Sequence, residues 1–241
     1  MHGFVFNANF IGFQSSTINC KLSHFREFGK GVLKVYGTHP DAFVQAAIQL
    51  TYHRMHGKPG SAYETATTRQ FYHGRTETCR TCTLETVDFA KAMDDVDTEE
   101  TTKWNLLKKS LDKHQQLMRK AQGNMGCDRH MFGMQMIAKE NGMFDQLVGE
   151  VFGPGAWTKS GGDGQFKLST SLLGYTPMTG GMVAMCAEGY GVFYSIEDDC
   201  INYAVSNWVG AGTDHEEFSR VFEDSLLDME RLAACNYSAP L

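Results

Sequence analysis

The stretch QFKLSTSLLGY, residues 165–175, sets three hydroxyl side chains, Ser169, Thr170 and Ser171, among apolar and aromatic neighbours. A hydroxyl is costly to bury unless it finds a hydrogen-bond partner. The run is therefore either a strand end facing water or a set of donors held ready for a ligand. Donors of this kind can stabilise the oxyanion that develops during acyl transfer. Neither serine is predicted to be a nucleophile, because no G-x-S-x-G turn surrounds it.

A second polar cluster lies in SAYETATTRQFYHGRTETCRTCT, residues 61–83. This segment is too polar for a core strand and too aromatic for a linker. Its tyrosine and threonine hydroxyls stand beside arginines, a combination that suits a carboxylate or phosphate ligand. A salt-bridged surface segment is the alternative. The polar members are Tyr63, Glu64, Thr65, Arg69, His73, Arg75, Thr76, Glu77, Thr78 and Arg80.

Two further places offer cations. Lys30 and Lys34 lie four residues apart in FGKGVLK, just before a predicted helix whose first turn carries Asp41. The two lysines either bracket a phosphate or remain solvated. Arg129 opens an otherwise apolar helix. It either pairs with its neighbour Asp128 or presents its planar guanidinium to a ligand carboxylate.

No local motif supplies a base or a metal site. The nine histidines are scattered, and only His73 and His130 fall inside polar clusters. Cys79 and Cys82 form a CxxC, but a structural zinc site needs a second ligand pair at similar spacing and none follows, so we expect two ordinary thiols. Anion-binding groups with a hydroxyl cluster, and no evident base or nucleophile, indicate part of a transfer site.

Composition and charge narrow the class of protein. The 241 residues are 42% hydrophobic and 21% charged, which is ordinary for a globular protein. The net charge of −6 argues against a general nucleic-acid or membrane-surface binder, since both need a basic face. No apolar stretch approaches the length that spans a bilayer. Seven cysteines, an odd number in a chain of this size, favour a reducing compartment.

Several helices are expected to position these groups. HPDAFVQAAIQLTYHRM, residues 39–55, predicts a largely buried helix with Pro40 in its first turn. The other predicted helices are one opened by the capping box Asp97-x-x-Glu100, one through residues 128–140 closed by Asn141-Gly142, and a last one opened by Thr213-x-x-Glu216.

Between the last two helices the pattern changes to short β-branched or aromatic runs separated by turn residues. These runs predict strands in QFKLSTS, GMVAMC, YGVFYSI and CINYAVSNW. At least four helices and roughly five strands, without a repeat or linker, predict a single α+β domain. We expect a two-layer α/β sandwich, with the strands as one layer and the helices packed on it.

Five of these segments resemble one known family. HPDAF, AYETATTRQFYHGRTETCRTCT, CDRHMFGMQMIAKE, LSTS and GYGVFY are similar, in order and spacing, to the carboxy-terminal half of the carnitine/choline acyltransferases. The similarity runs from about Phe25 to the final helix. It predicts a carboxy-terminal acyltransferase domain over residues 25–241 and an atypical amino-terminal extension over residues 1–24. It also implies the CoA-dependent acyltransferase fold, a mixed sheet flanked by helices.

The resemblance implies a reaction of fatty acid metabolism: an acyl group passes between the CoA thiol and the hydroxyl of L-carnitine. Acyl-CoA is then a co-substrate, and no permanently bound cofactor or metal is expected. Ser171 takes the place of the hydroxyl that stabilises the oxyanion, and Arg129 that of the arginine that pairs with the carnitine carboxylate. The other implied residues are Tyr63, Thr65, Thr76 and Ser169 for carnitine, and Lys30, Lys34, Asp41 and Glu64 for CoA.

Two departures from the family pattern bear on activity. The family's general base is a histidine in the amino-terminal half, and its motif is absent from these 241 residues. A base must lie within hydrogen-bond reach of its proton, so we expect a separate amino-terminal half as partner. The second departure is Leu172, which stands where short-chain members often carry a glutamine that contacts CoA.

Gly180 and Gly181 bear on the length of the acyl chain. Short-chain members place a bulky methionine near this point, where it closes the acyl pocket. A glycine has no side chain to fill such a pocket. The resemblance therefore implies a medium-chain acyl group.

A rival interpretation is a non-catalytic half that binds CoA or carnitine, or complements a separate amino-terminal half. Such a half should expose an apolar surface where its partner belongs. Choline as the acyl acceptor is a weaker alternative, since Thr76 and Arg129 favour a ligand with a carboxylate, which choline lacks. The members that the chain most resembles are peroxisomal, and a cytoplasmic location is the alternative. The final tripeptide Ala239-Pro240-Leu241 matches the peroxisomal signal Ser-Lys-Leu only at its leucine.

Overall fold

The computed structural model describes residues 16–147, 151–153 and 155–237. Its strands are β1 (Ile18–Phe25), β2 (Ala62–Thr67), β3 (Thr76–Arg80), β4 (Leu168–Gly174), β5 (Tyr190–Ile196) and β6 (Ile201–Trp208). They form one six-stranded sheet in the order β1-β6-β5-β4-β2-β3. The β2–β4 and β4–β5 pairs are parallel and the other pairs antiparallel, so the sheet is mixed.

The α-helices of the described residues are α1 (Lys30–Val35), α2 (Pro40–His56), α3 (Leu84–Met93), α4 (Glu100–Gln122), α5 (Asp128–Glu140), α6 (Phe144–Leu147), α7 (Ala156–Lys159) and α8 (His215–Asn236). Helices α2, α3, α4 and α8 share one hydrophobic core with the sheet. This arrangement confirms the predicted α+β class with a mixed sheet and flanking helices.

Every helix in the described part of the chain is either too short or too polar to span a bilayer.

Successive residues of a strand point to opposite sides of the sheet, and here the two sides differ. Tyr190, Val192 and Tyr194 of β5 are buried in the core with α2 and α8. We call this side the core face. Phe193, which stands between Val192 and Tyr194 in the strand, points to the other side, which we call the open face. Its neighbours in register there are Ser171 on β4 and Ala204 on β6.

Residues 178–184, which we call the cover segment, lie across the open face of β5 and β6. Their backbone carbonyls accept hydrogen bonds from side chains of the two strands: Met178 from Ser195, Met182 from Ser206, and Ala184 from Trp208. The strand predicted in GMVAMC, residues 181–186, is therefore wrong. Its carbonyls bond to side chains of the sheet beneath rather than to a neighbouring strand.

Two predicted helix starts are also wrong. Helix α4 begins at Glu100 without a side-chain cap. Asp97 does not cap it, because its backbone N–H bonds to Asp95 in the turn before the helix. Helix α8 is capped by Asp214, whose carboxylate accepts two backbone N–H groups of the first turn. Thr213, predicted to start this helix, instead accepts a hydrogen bond from Asn207 on β6.

Three strands were not predicted. The polar cluster of residues 61–83 contains the antiparallel hairpin β2–β3, and β1 pairs with β6 along its whole length. The predicted domain boundary between residues 24 and 25 falls at the end of β1. Residues 1–15, the greater part of the predicted extension, lie outside the described residues.

Candidate functional site

A cavity opens where strands β2 and β4 separate. The two strands pair over three residues only, from Ala62 opposite Leu168 to Glu64 opposite Thr170, although both continue beyond that point. The gap holds a cavity of about 840 Å³. A volume of this size accommodates a small-molecule ligand. Because the gap passes between two strands, side chains from both faces of the sheet reach it.

The cavity brings together five of the predicted site residues. Thr65, Thr76 and Ser171 approach it from the open face, and Asp41 and Glu64 approach it from the core face. Leu172, the second departure from the family pattern, also lines it. The predicted residues outside its lining are Tyr63, Ser169, Arg129, Lys30, Lys34, Gly180 and Gly181.

The three hydroxyls of β4 have different partners. Thr170 points to the core face, where it donates to the Tyr63 carbonyl at 2.8 Å and accepts from Gln45 Nε2 at 2.9 Å. Ser169 points to the open face and is buried, 3.4 Å from the Tyr63 hydroxyl. Ser171 is half-buried in the cavity wall, and its hydroxyl makes no hydrogen bond to any described residue. Ser171 is therefore the hydroxyl available to a ligand.

Arg129 lies beside Thr76 at the edge of the cavity. Its Nε donates to the Thr76 carbonyl at 3.2 Å, and a terminal nitrogen lies 3.3 Å from the Thr76 hydroxyl. The alternative partner Asp128 is held instead by Arg80, through two contacts of 2.7 and 3.0 Å. The Arg129 guanidinium is exposed and has no carboxylate partner among the described residues.

The two predicted phosphate-binding lysines lie on α1, a short helix of six residues. The first amides of α1 bond to the turn between β5 and β6, with Lys30 N–H donating to the Glu197 carbonyl at 2.8 Å. Lys30 Nζ lies 3.0 Å from Asp198 and 5.8 Å from the ring centre of Tyr175, which lines the cavity. Lys34, one turn later, is exposed. Both ammonium groups thus lie outside the cavity, with Lys30 near its Tyr175 wall.

A buried polar cluster forms the core-face wall of the cavity. The Tyr194 hydroxyl donates to Asp41 at 2.6 Å and lies 3.3 Å from Glu64, whose other carboxylate oxygen is 2.9 Å from His114 Nε2. Burial raises the pKa of Glu64 to about 8. Burial and the neighbouring Glu64 charge raise the pKa of Asp41 to about 7, whereas burial lowers the pKa of His114. Burial thus disfavours the charged form of all three groups: it favours the protonated carboxyls of Asp41 and Glu64 and the neutral imidazole of His114.

His114 was not predicted as a site residue. Its imidazole is buried, and its Nδ1 has no hydrogen-bond partner among the described residues. Ligand atoms of Asp41, Glu64 and His114 lie within 4.8 Å of one another, which is close enough to approach a metal ion. Hydrogen bonds already link them to each other and to Tyr194, so shared protons can neutralise the cluster.

The cavity lining contains three arginines. They are Arg69 and Arg75 from the connection between β2 and β3, and Arg119 from α4, and Gln115 and Gln122 line the cavity with them. Arg69 and Arg75 belong to the polar segment identified in the sequence, whereas Arg119 comes from α4 and was not identified. Arginines in a cavity lining favour a ligand with an anionic group.

Gly180 and Gly181 of the cover segment differ in the space around them. A Cβ atom on Gly180 would lie 2.7 Å from a ring carbon of Phe193, so no side chain fits without a shift. A Cβ atom on Gly181 would lie 3.6 Å from Cys20 Sγ and 4.0 Å from Ala204 Cβ, which are ordinary contacts. Of these two glycines, Gly181 is the one that borders space a side chain could fill.

The sequence is similar to a family and to several curated proteins. The family model described as Choline/Carnitine o-acyltransferase matches residues 11–224. Peroxisomal carnitine O-octanoyltransferase of Mus musculus is 41% identical over 219 residues, which cover 90% of this chain and 35% of the mouse protein. Carnitine O-palmitoyltransferase 1, liver isoform, of Homo sapiens is 33% identical over 221 residues, covering 85% of this chain and 27% of that protein. The chain spans about a third of the length of the octanoyltransferases that it matches.

A solved structure has a similar fold. The condensation domain described in the work on chain release from the enacyloxin polyketide synthase matches with a TM-score of 0.51 at 8% identity, covering 93% of this chain and 43% of that one. A likeness at this identity concerns the fold alone. It agrees with the expected CoA-dependent acyltransferase fold, which condensation domains share.

Proposed function

The chain belongs to the choline/carnitine O-acyltransferase family, and we propose that it is the substrate-binding half of an enzyme that moves a medium-chain acyl group between CoA and carnitine. The observation that carries this proposal is the Ser171 hydroxyl, unpartnered among the described residues, in one cavity with Thr65 and Thr76. The octanoyltransferase named above, to which the chain is 41% identical, supports the choice of a medium chain.

Carnitine is proposed to bind at the open face, at the Thr76 side of the cavity. Its carboxylate pairs with Arg129, because this exposed guanidinium already lies against Thr76 and has no carboxylate of its own among the described residues. Thr65 and Thr76 add hydroxyl donors from neighbouring strands. Tyr63 and Ser169, which lie 3.4 Å apart outside the cavity lining, support this wall from the same face.

CoA is proposed to bind from the side of Tyr175 and α1. Lys30 and Lys34 stand on that side as cations for a phosphate. Asp41 and Glu64 are assigned to the pantetheine part of CoA. Because burial raises the pKa of both carboxyls, each can donate a hydrogen bond to an amide carbonyl when protonated and accept one when ionised.

The proposed reaction is direct transfer without a covalent acyl-enzyme. A histidine of the amino-terminal half removes the carnitine hydroxyl proton, and the alkoxide oxygen attacks the thioester carbonyl carbon. The Ser171 hydroxyl donates a hydrogen bond to the resulting oxyanion. When the intermediate collapses, the carbon–sulfur bond breaks and the CoA thiolate takes the proton from the imidazolium, which restores the base.

The amino-terminal half is proposed to pack against α5. This helix begins next to Arg129 and exposes three large apolar side chains, Phe132, Met134 and Ile137. Met134 and Ile137 lie three residues apart on one side of the helix, and exposed apolar surface of this kind favours a protein partner. In this proposal residues 25–241 form the carboxy-terminal domain. Residues 18–24, the part of β1 before Phe25, complete its sheet by pairing with β6.

Calorimetric titration of the folded 241-residue chain with octanoyl-CoA and with carnitine tests the proposal. We expect both to bind and Arg129→Ala to weaken carnitine only, since the guanidinium is assigned to its carboxylate. We expect no release of CoA thiol until an amino-terminal half is added. Turnover by the chain alone would place the base within it, and a folded chain that binds neither ligand would refute the proposal. Binding without turnover in the presence of an amino-terminal half would favour the non-catalytic role.

Substitution of Gly181 by methionine is expected to shift chain-length preference from octanoyl toward acetyl in the completed enzyme. The new side chain would fill the space in front of Cys20 and Ala204. The matched substitution Gly180→Met should lower thermal stability instead, because its Cβ meets the Phe193 ring. The ratio of kcat/KM for octanoyl-CoA and acetyl-CoA measures the shift, and an unchanged ratio for Gly181→Met would contradict this assignment.

A peroxisomal location is proposed from the names of the octanoyltransferase relatives alone. The carboxy-terminal tripeptide that bears on it, residues 239–241, lies outside the described residues.

A further inference from the structure

We propose that Arg80 is a positioning residue for the carboxylate of the acyl acceptor: by pairing with Asp128, it leaves the Arg129 guanidinium free to bind that carboxylate. This inference rests on the proposed function, since it takes Arg129 as the carboxylate-binding group. It assigns a task in ligand binding to an ion pair that lies outside the lining of the cavity.

Two carboxylates lie beside Arg129, and both are held by other groups. Asp128 precedes it in the chain, and Glu77 on β3 has its carboxylate oxygens 3.3 and 3.4 Å from the Arg129 backbone nitrogen. Glu77 is buried and also accepts the Thr78 backbone N–H at 2.6 Å. The positive end of the α5 helix dipole favours a carboxylate in this place. Glu77 therefore bonds to backbone amides and leaves the Arg129 side chain free.

Asp128 is held by Arg80 in a bidentate ion pair. Arg80 Nε lies 3.0 Å from one carboxylate oxygen, and a terminal nitrogen lies 2.7 Å from the other. Only 25% of the Arg80 side chain and 9% of the Asp128 side chain are exposed. A bidentate pair of this kind is stronger and more directional than an ordinary surface ion pair. Because successive side chains of a helix do not face each other, Asp128 meets β3 while Arg129 reaches Thr76 at the cavity edge.

The surroundings of Arg80 fix its guanidinium in place. Its remaining terminal nitrogen donates to the Ser160 carbonyl at 2.9 Å. The guanidinium carbon lies 5.2 Å from the ring centre of Trp157 and 5.5 Å from that of Phe166. Aromatic rings at such distances stabilise a cation. Each nitrogen of the Arg80 guanidinium thus has a partner, and its positive charge stays beside Asp128.

The charge of Asp128 affects a ligand that binds next to it. An unpaired carboxylate there attracts the Arg129 guanidinium and repels a ligand carboxylate, and both effects weaken the proposed carnitine site. With Arg80 in place, the Asp128 charge is cancelled. Loss of the Arg80 charge should therefore weaken carnitine binding, whereas loss of the Asp128 charge should strengthen it. An ion pair that only supports the fold predicts weaker binding in both cases.

Calorimetric titration of the folded 241-residue chain with carnitine tests these opposite signs. Arg80→Met removes the cation but keeps an unbranched side chain between the two rings, and it should weaken carnitine binding about fivefold (about 1 kcal/mol). Asp128→Asn keeps the shape of the side chain without its charge, and it should strengthen carnitine binding about threefold. Both variants should lower the melting temperature, and the affinity for octanoyl-CoA should change less than about twofold in either.

Arg54→Met is the matched control. Arg54 on α2 forms an equivalent bidentate pair with Asp94, with contacts of 3.1 and 2.6 Å, and 17% of its side chain is exposed. Neither residue of this pair lines the cavity. The substitution should therefore lower the melting temperature as Arg80→Met does, and leave carnitine binding unchanged.

Two results would overturn the inference. If Asp128→Asn weakens carnitine binding or leaves it unchanged, or if a folded Arg80→Met chain binds carnitine as the parent does, the pair supports the fold alone. Should Arg80→Met not fold, Asp128→Asn decides by itself, because only stronger binding agrees with the inference. The proposed function stands in these cases as long as the parent chain binds carnitine and Arg129→Ala weakens that binding. If the folded parent chain does not bind carnitine, the proposed function fails, and this inference with it.

Discussion

Replacing Ser171 by alanine is expected to lower kcat of the completed enzyme about 10²–10³-fold, the usual effect of losing one oxyanion donor. The hydroxyl makes no hydrogen bond to any described residue and lies in the cavity wall, so it is free to bond to charge that develops there. KM for carnitine and for octanoyl-CoA should change little, because the interaction strengthens only in the transition state. Steady-state kinetics with each substrate varied in turn measures both constants.

The matched control is Ser219→Ala. The Ser219 hydroxyl bonds to the His215 carbonyl within α8, on the core side of the sheet, so its loss should leave kcat unchanged. A Ser171→Ala enzyme that keeps its kcat and raises KM for carnitine would show that Ser171 binds substrate rather than the transition state. In that case Ser169 and Thr76 would become the candidates for the oxyanion donor.

The free energy of unfolding is expected to fall as pH rises from about 4 to 8, because of the buried carboxyls of Asp41 and Glu64. Their folded pKa values, about 7 and about 8, lie above the ordinary values of 3.8 and 4.5. Within that window the folded state binds more protons than the unfolded state, so stability decreases with pH. The lowered pKa values of His114, His39 and His56 act in the opposite sense below their ordinary value of 6.5, so the decrease is expected to be clearest between about pH 6.5 and 8.

Glu64→Gln should remove most of this dependence. Glutamine resembles the protonated acid in shape and hydrogen bonding, so stability at pH 5 should stay close to that of the parent chain. At pH 8.5 the variant should be more stable by roughly 2 kcal/mol or more, since each unit of pKa shift corresponds to about 1.4 kcal/mol. Urea unfolding at both pH values measures the difference. Glu140→Gln, at an exposed position on α5, is the control. Parallel pH profiles for all three chains would contradict the assignment.

The long helices were predictable because their sequence carries local signals. Pro40 and the apolar spacing after it define α2, and Asn141-Gly142 closes α5. The hairpin β2–β3 was missed for a physical reason: the open-face residues of these strands line a cavity and are therefore polar. A strand pattern normally relies on an apolar core-facing row, and here that row includes Glu64, Glu77 and Cys79.

The residues of the candidate site also differ in how far the sequence alone predicts them. Ser171, Thr76 and Arg129 could be found from the chemistry of their side chains together with a family resemblance. His114 could not, because a single histidine in a long amphipathic helix gives no signal, and its partner Glu64 is 50 residues away in the chain. The difference between Gly180 and Gly181 is likewise invisible in the sequence. It depends on the Phe193 ring, which only the folded sheet brings beneath one of them.

The short pairing between β2 and β4 affects how rigid the sheet is. Three residue pairs join two parts of the sheet, which we call leaves: the four strands β1-β6-β5-β4 and the two strands β2-β3. Beyond these three pairs, the two leaves are no longer hydrogen-bonded to each other. Thr65 and Thr76 on one side of the gap and Ser171 on the other line the cavity, so under the proposed function a bound ligand bridges the strands where their backbone pairing has ended. Because any ligand that prefers one spacing of the leaves must shift them toward it, occupancy of the cavity and stiffness of the sheet are coupled. Under the proposed function, a bound substrate therefore stiffens the sheet across this gap.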